Sequence, residues 1–97
     1  MRFSIFMCIF LTLVACSSPG LRFSSVAPVR ITVEGSVFDV YVLGDDVRAI
    51  RMNFEVLPTF AMIGPRAIIA MERATGCTVI NSTFLGDQAM ADARVSC

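Results

Sequence analysis

Histidine, lysine and tryptophan are missing from the 97 residues, and tyrosine occurs once. Each absence closes a route. Without His and Lys the chain lacks the side chains most used as general bases near neutral pH. A serine nucleophile would need another base, and no Gly-x-Ser-x-Gly elbow occurs. A metal site without imidazole loses its commonest ligand, and Met52, Met62, Met71 and Met90 stand at core-like spacings that read as gap filling. Charge is scarce too: 16% of residues carry it, and eight basic residues balance eight acids. That balance gives no electrostatic footing for nucleic acid and none for a polybasic membrane patch. The carboxylates Asp39, Asp45, Asp46, Glu55, Asp87 and Asp92 read as turn formers and solvated positions, not as a catalytic pair. The expectation is a non-catalytic protein with no metal and no cofactor.

What the chain does have is concentrated first at its start. Met1-Arg2 is followed by a nearly continuous apolar stretch over residues 3–14, then small Ala15, Cys16 and the polar Ser17-Ser18-Pro19-Gly20. A basic start, a short apolar run and a small residue before a cut site make a secretory signal peptide, here residues 1–15. The run is too short for a membrane-spanning helix, which needs about 20 apolar residues. The other reading is a buried helix carrying Cys8 and Cys16. Leu13-Val14-Ala15-Cys16 resembles the bacterial lipobox, Leu-(Ala/Ser/Val)-(Gly/Ala)-Cys. That resemblance implies a diacylglyceryl group on the Cys16 thiol, cleavage before it and acylation of the new amine. Two or three acyl chains hold a protein durably where one does not. The implied address is the cell membrane or the outer membrane, facing the periplasm; Ser17 in place of Asp leans to the outer membrane by the enteric rule.

Residues 16–28 read as a lipidated tether, Ser-rich but carrying Leu21, Phe23 and Val26, and residues 29–97 as one small domain. From residue 29 the hydrophobic period is two: Val29, Ile31 and Val33 alternate with polar residues. Gly35-Ser36 and Gly44-Asp45-Asp46 are turn signals. The spacing predicts strands over 29–33, 37–43 and 47–54 as an antiparallel meander. Pro65 and Gly76 then suit the start and end of a helix, with Ala67, Ala70, Met71 and Ala74 on one face. A continuous helix from Thr59 through Pro65 is the alternative. Weaker strands follow over 77–83 and 89–97. The expected fold class is α+β, order β-β-β-α-β-β, with one helix on one face of the sheet.

A turn centred on Asp87 would set Cys77 opposite Cys97, Val79 opposite Val95 and Asn81 opposite Ala93. It would also place Ala89, Ala91, Ala93 and Val95 on one face, against which an alanine-rich helix could lie close. An exported protein meets an oxidising compartment, where Cys77 and Cys97 are expected to form a disulfide. Strand alternation sets Val37, Tyr41 and Leu43 on the face opposite Phe38, Val40 and Val42. One helix cannot cover both faces, so the 21–26 segment, a second copy or an envelope protein must cover the other. Val37, Tyr41 and Leu43 are the candidate partner-binding residues. The segments VEGSVFDVYVLGD, AMERATGC and GDQAMADARVSC resemble short lipoproteins of GC-rich alphaproteobacteria, the rhodobacter relatives, a likeness that implies a habitat and no activity. The functional expectation is an accessory that docks on another envelope protein. The rival is a small-ligand or solute-binding lipoprotein with a pocket between helix and sheet.

Overall fold

A computed structural model describes residues 20–97; the signal peptide expected over residues 1–15 and the expected lipidation site Cys16 lie outside the described residues. The fold is α+β: one helix on a curled antiparallel sheet of six strands. β1 (Val29–Val33) and β2 (Ser36–Leu43) form a hairpin closed by Val33 opposite Ser36. The two turn residues, Glu34 and Gly35, have φ of 49° and 90°. That left-handed pair matches the right-handed twist of the strands, and Gly35 takes the larger angle without a side chain to clash. Gly44 opens a second tight turn into β3 (Asp46–Arg51), with Leu43 opposite Asp46.

β3 ends earlier than its alternation predicts. Met52 still donates its N–H to the Val37 carbonyl, 2.8 Å. At the next residue the Asn53 side chain takes over the role of a strand, accepting from Val37 N–H at 2.9 Å and donating to the Gly35 carbonyl at 3.0 Å. An Asn amide that imitates the backbone lets the main chain leave the sheet.

Helix α1 (Phe60–Thr75) follows the longer of the two expectations, and Pro65 lies inside it rather than in its first turn. Thr59 is the N-cap, its side chain accepting from Met62 N–H, and Gly76 ends the helix in the left-handed conformation, its N–H bonded to the Glu72 carbonyl. The Thr59 cap decides the start, and Pro65 forfeits only the bond its missing N–H would have made to Ala61, near the helix end. The buried stripe Ile63, Ala67, Ala70 and Met71 meets Phe38, Val40, Val47, Ala49, Ala91, Ala93 and Val95 in one cluster. Facing alanines on helix and sheet bring the two layers close, as the parity of 89–97 predicts.

The far edge of the sheet is broken in two. β4 (Thr78–Val79) pairs with the end of β6 (Met90–Ser96), Val79 opposite Val95, and β5 (Leu85–Gly86) pairs with its start, Leu85 opposite Asp92. Between them Asn81–Thr83 is a 3-10 turn, so Asn81 does not reach Ala93. The Thr83 hydroxyl accepts the Arg94 N–H at 2.9 Å in place of a strand carbonyl. The strand order is β1-β2-β3-β6-β4, with β5 also beside β6. A Cβ on Gly86 would lie 2.3 Å from the Met90 carbonyl oxygen, so only glycine closes this turn.

Candidate functional site

The outer sheet face does not present Val37, Tyr41 and Leu43 as one open surface. Val37 is half-buried and Leu43 exposed, but Tyr41 is only 9% exposed because Phe23 lies over it. The Phe23 ring meets Tyr41 edge-on, centroids 6.4 Å apart, and the Arg48 guanidinium stacks on Phe23 at 5.1 Å. Phe23 itself is 2% exposed, whereas Leu21 beside it is fully outside. The packed body therefore includes part of the segment read as tether. Asp39, between Val37 and Tyr41, is buried and receives Arg30 at 2.8 and 3.2 Å.

Cys77 and Cys97 lie at disulfide distance, with Cα atoms 4.6 Å apart, inside the usual range. The pair sits at the free end of β4, a strand of two residues.

Two features of the described residues answer to neither core nor turn. The first is a knob where β3 ends. Phe54, Val56 and Leu57 are 90%, 76% and 87% exposed. Between them Glu55 turns the other way. Its carboxylate receives the Ser36 hydroxyl at 3.0 and 3.1 Å, Arg51 Nη1 at 3.0 Å and Arg66 Nη1 at 3.4 Å. Arg66 also donates to the Ser36 oxygen at 3.1 Å. Ser36 is fully buried, so this hydroxyl is an anchor and not a nucleophile. Burial works to raise the Glu55 pKa, yet the bonds from Arg51 and Ser36 and the charges of Arg51 and Arg66 outweigh it and hold the carboxyl below its ordinary value. Leu57 has φ of 49°, a left-handed backbone that costs a bulky residue roughly 1–3 kcal/mol. The loop thus spends backbone strain and a polar anchor to hold three apolar side chains in water.

The second feature is a cleft at the other end of the sheet. Ala91, Ala93 and Val95 point inward, so Asp92 and Arg94 point out, directly across from Arg48 and Asp46 of β3. Arg48 donates to both Asp92 oxygens at 2.6 and 2.8 Å, and this bond raises its pKa above the ordinary value. Asp46 receives Arg22 and stands 3.7 Å from Arg94. These pairs, the Phe23 turn and the Thr83–Leu85 edge surround a half-open cleft of about 260 Å³. Three guanidinium groups face two carboxylates there. The space between helix and sheet, by contrast, is filled by the core cluster.

Neither feature was visible in the sequence pattern. The run FEVLP continues a strand by composition, and its one charge reads as a solvated position. The usable signal is Asn53, a strand breaker, with Pro58 closing an apolar run that has lost its alternation. Among the described residues no three His, Cys, Asp or Glu are grouped to hold a metal ion, and no helix is long and apolar enough to cross a membrane. No protein-family model matches the chain, and no curated protein and no solved structure matches it.

Proposed function

We propose that this chain is a non-catalytic, lipid-anchored protein of the bacterial envelope that docks on a protein partner through the Phe54, Val56 and Leu57 knob. The observation that carries the reading is the fixed exposure of these three side chains by a loop pinned from beneath through Glu55. Exposed apolar residues held in place against strain mark an interaction surface. The anchor would be lipid on Cys16, at the cell membrane or outer membrane on the periplasmic side. The knob lies at the end of the sheet away from Gly20. Gly20 approaches the Arg48 side chain, and Arg48 lies opposite Tyr41, whereas Glu55 is bonded to Ser36 at the other end of β2. The cleft favours one second reading, a small ligand held by its Arg and Asp side chains.

The test is a photoreactive phenylalanine at position 54 in cells, set beside Phe54→Asp. Position 54 is already solvated, so Phe54→Asp should melt within about 0.5 kcal/mol of the parent. It should lose the species that the parent forms with a general crosslinker. A Phe54→Asp protein of normal stability that keeps every crosslinked species would remove the knob from the functional account.

A further inference from the structure

We infer that two copies of this chain join edge to edge through β1, extending one sheet across a two-fold axis at Ile31. This goes beyond the docking reading and does not rest on it, since the knob takes no part. Val33 and Ser36 close the β1–β2 hairpin, so bonded residues alternate along β1 from that pair. Val29, Ile31 and Val33 direct their N–H and C=O groups to β2, and Arg30 and Thr32 aim theirs away from the sheet. The helix side agrees: Arg73 reaches the outward Thr32 carbonyl at 3.4 Å. The Arg30 N–H and C=O and the Thr32 N–H meet no other protein group among the described residues.

The two edges of the sheet differ in how they are guarded. The far edge is cut into β4 and β5, two residues each, with the Asn81–Thr83 turn between them and the Cys77 and Cys97 pair at its end. Short, interrupted strands keep another chain from pairing with an edge. β1 has neither defence. It runs five residues without proline or bulge, and its one charge is drawn onto the outer face by Asp39. Its core-facing side is also unfinished. Val29 points to the helix side, opposite Val40, yet is 45% exposed, and Ile31 is half-buried. On α1, Arg66 and Arg73 reach Glu34 and Thr32 and so mark the helix margin along β1. Ile69 lies between them on that margin and is 38% exposed. A further strand beside β1 would cover all three apolar residues.

The strand that fits is β1 itself. Antiparallel pairing about Ile31 sets Val29 against Val33, Arg30 against Thr32 and Ile31 against Ile31 across the axis. No like charges meet, and every outward group of both edges is used, the Arg30 and Thr32 pairs exchanging four bonds. The neighbouring registers lose them. Centred on Arg30, two arginines face each other and Thr32 meets Pro28, which has no N–H. Centred on Thr32, Arg30 meets Glu34, whose φ of 49° has left the strand. The contact is isologous and closes at two copies. Strand addition takes its affinity from main-chain bonds, with the side chains setting register.

The experiment uses the full chain in mild detergent, with Ile31→Cys under mild oxidation. Facing residues at the axis lie within disulfide range, so a reducible dimer is expected, with nothing larger. Thr32→Cys should give far less, because its two copies stand on the diagonal, roughly 7–8 Å apart. Thr32→Pro should keep the fold of one copy, since the N–H it removes faces water there, and an unchanged far-UV circular dichroism spectrum checks that. Alone, Thr32→Pro should sediment as a monomer where the parent sediments as a dimer. Combined with Ile31→Cys, it should abolish the disulfide-linked dimer. Phe54→Asp should keep the dimer while losing the docked partner, so the two readings fail separately. A parent that sediments as a monomer would overturn the inference, as would a linked dimer that survives Thr32→Pro or forms equally from Thr32→Cys. Species larger than the dimer would mean head-to-tail contact and overturn it as well.

Discussion

Glu55 is the residue on which the knob depends, and its chemistry fixes how the knob answers to acid. Its folded pKa lies below the ordinary 4.5. A depressed carboxylate stabilises the fold fully above its unfolded pKa, and the contribution is lost as pH falls below 4.5 through the folded value. Asp87 adds to the same limb: N–H groups of Met90 and Ala89 hold it below its ordinary 3.8. The melting temperature should therefore be level above about pH 5 and fall steeply below it. Glu55→Gln removes the charge facing Arg51 and Arg66, so at neutral pH it should cost about 1.5–3 kcal/mol, the scale of hydrogen bonds to charged groups. It should also flatten the acid limb. Melts of both proteins at about pH 7 and about pH 3.5 decide this; an acid loss as steep in Glu55→Gln as in the parent would place the titrating group elsewhere.

At the scale of elements, the dependable parts were those where a single backbone rule acts alone. The β1–β2 hairpin follows from alternation and Gly35, the end of α1 from Gly76, and the inward face of β6 from Ala91, Ala93 and Val95. The parts that escaped are those where a polar side chain competes with the backbone. Asn53 ends β3 and Thr83 interrupts the far edge, whereas the Thr59 start of α1 was one of the two expected. Alternation counts residues and cannot register which side chain will replace a ladder bond. The interrupted edge is also where the sheet most needs support, since β4 contributes two residues and one apolar pair, Val79 with Val95. The Cys77 and Cys97 pair closes it. In protein purified without reductant both thiols should resist alkylation until reductant is added, and Cys77→Ser should cost roughly 3 kcal/mol. In a domain of this size that lowers the melting point by more than about 10 °C. Two thiols that react freely without reductant would refute the bridge.

For the whole molecule, the proposed anchor and the proposed docking site must be usable at once. Three residues lie between Cys16 and Gly20, so the two are at most about 14 Å apart. A lipid on Cys16, as proposed, would therefore hold the Gly20 end of the sheet close to the membrane. Among the described residues, the segment before β1 is held to the body by Phe23, sealed over Tyr41 and under Arg48, and by Arg22 on Asp46. Anchor and fold should therefore separate under mutation. Cys16→Ser should abolish incorporation of labelled palmitate and leave an uncut precursor, while the melting temperature of the folded body stays at the parent value. Phe23→Ala should do the reverse: labelling and processing continue, and the body loses about 3 kcal/mol, the low end for a buried phenylalanine. The loss should be felt at the outer face, with Tyr41 becoming open to solvent. Since tryptophan is absent and Tyr41 is the one tyrosine, its fluorescence quenching by iodide reads that opening directly. Palmitate retained by Cys16→Ser would sink the lipid anchor. Unchanged stability and quenching in Phe23→Ala would mean that residues 20–26 do not belong to the packed body, and that the face bearing Val37, Tyr41 and Leu43 is free to take a partner after all.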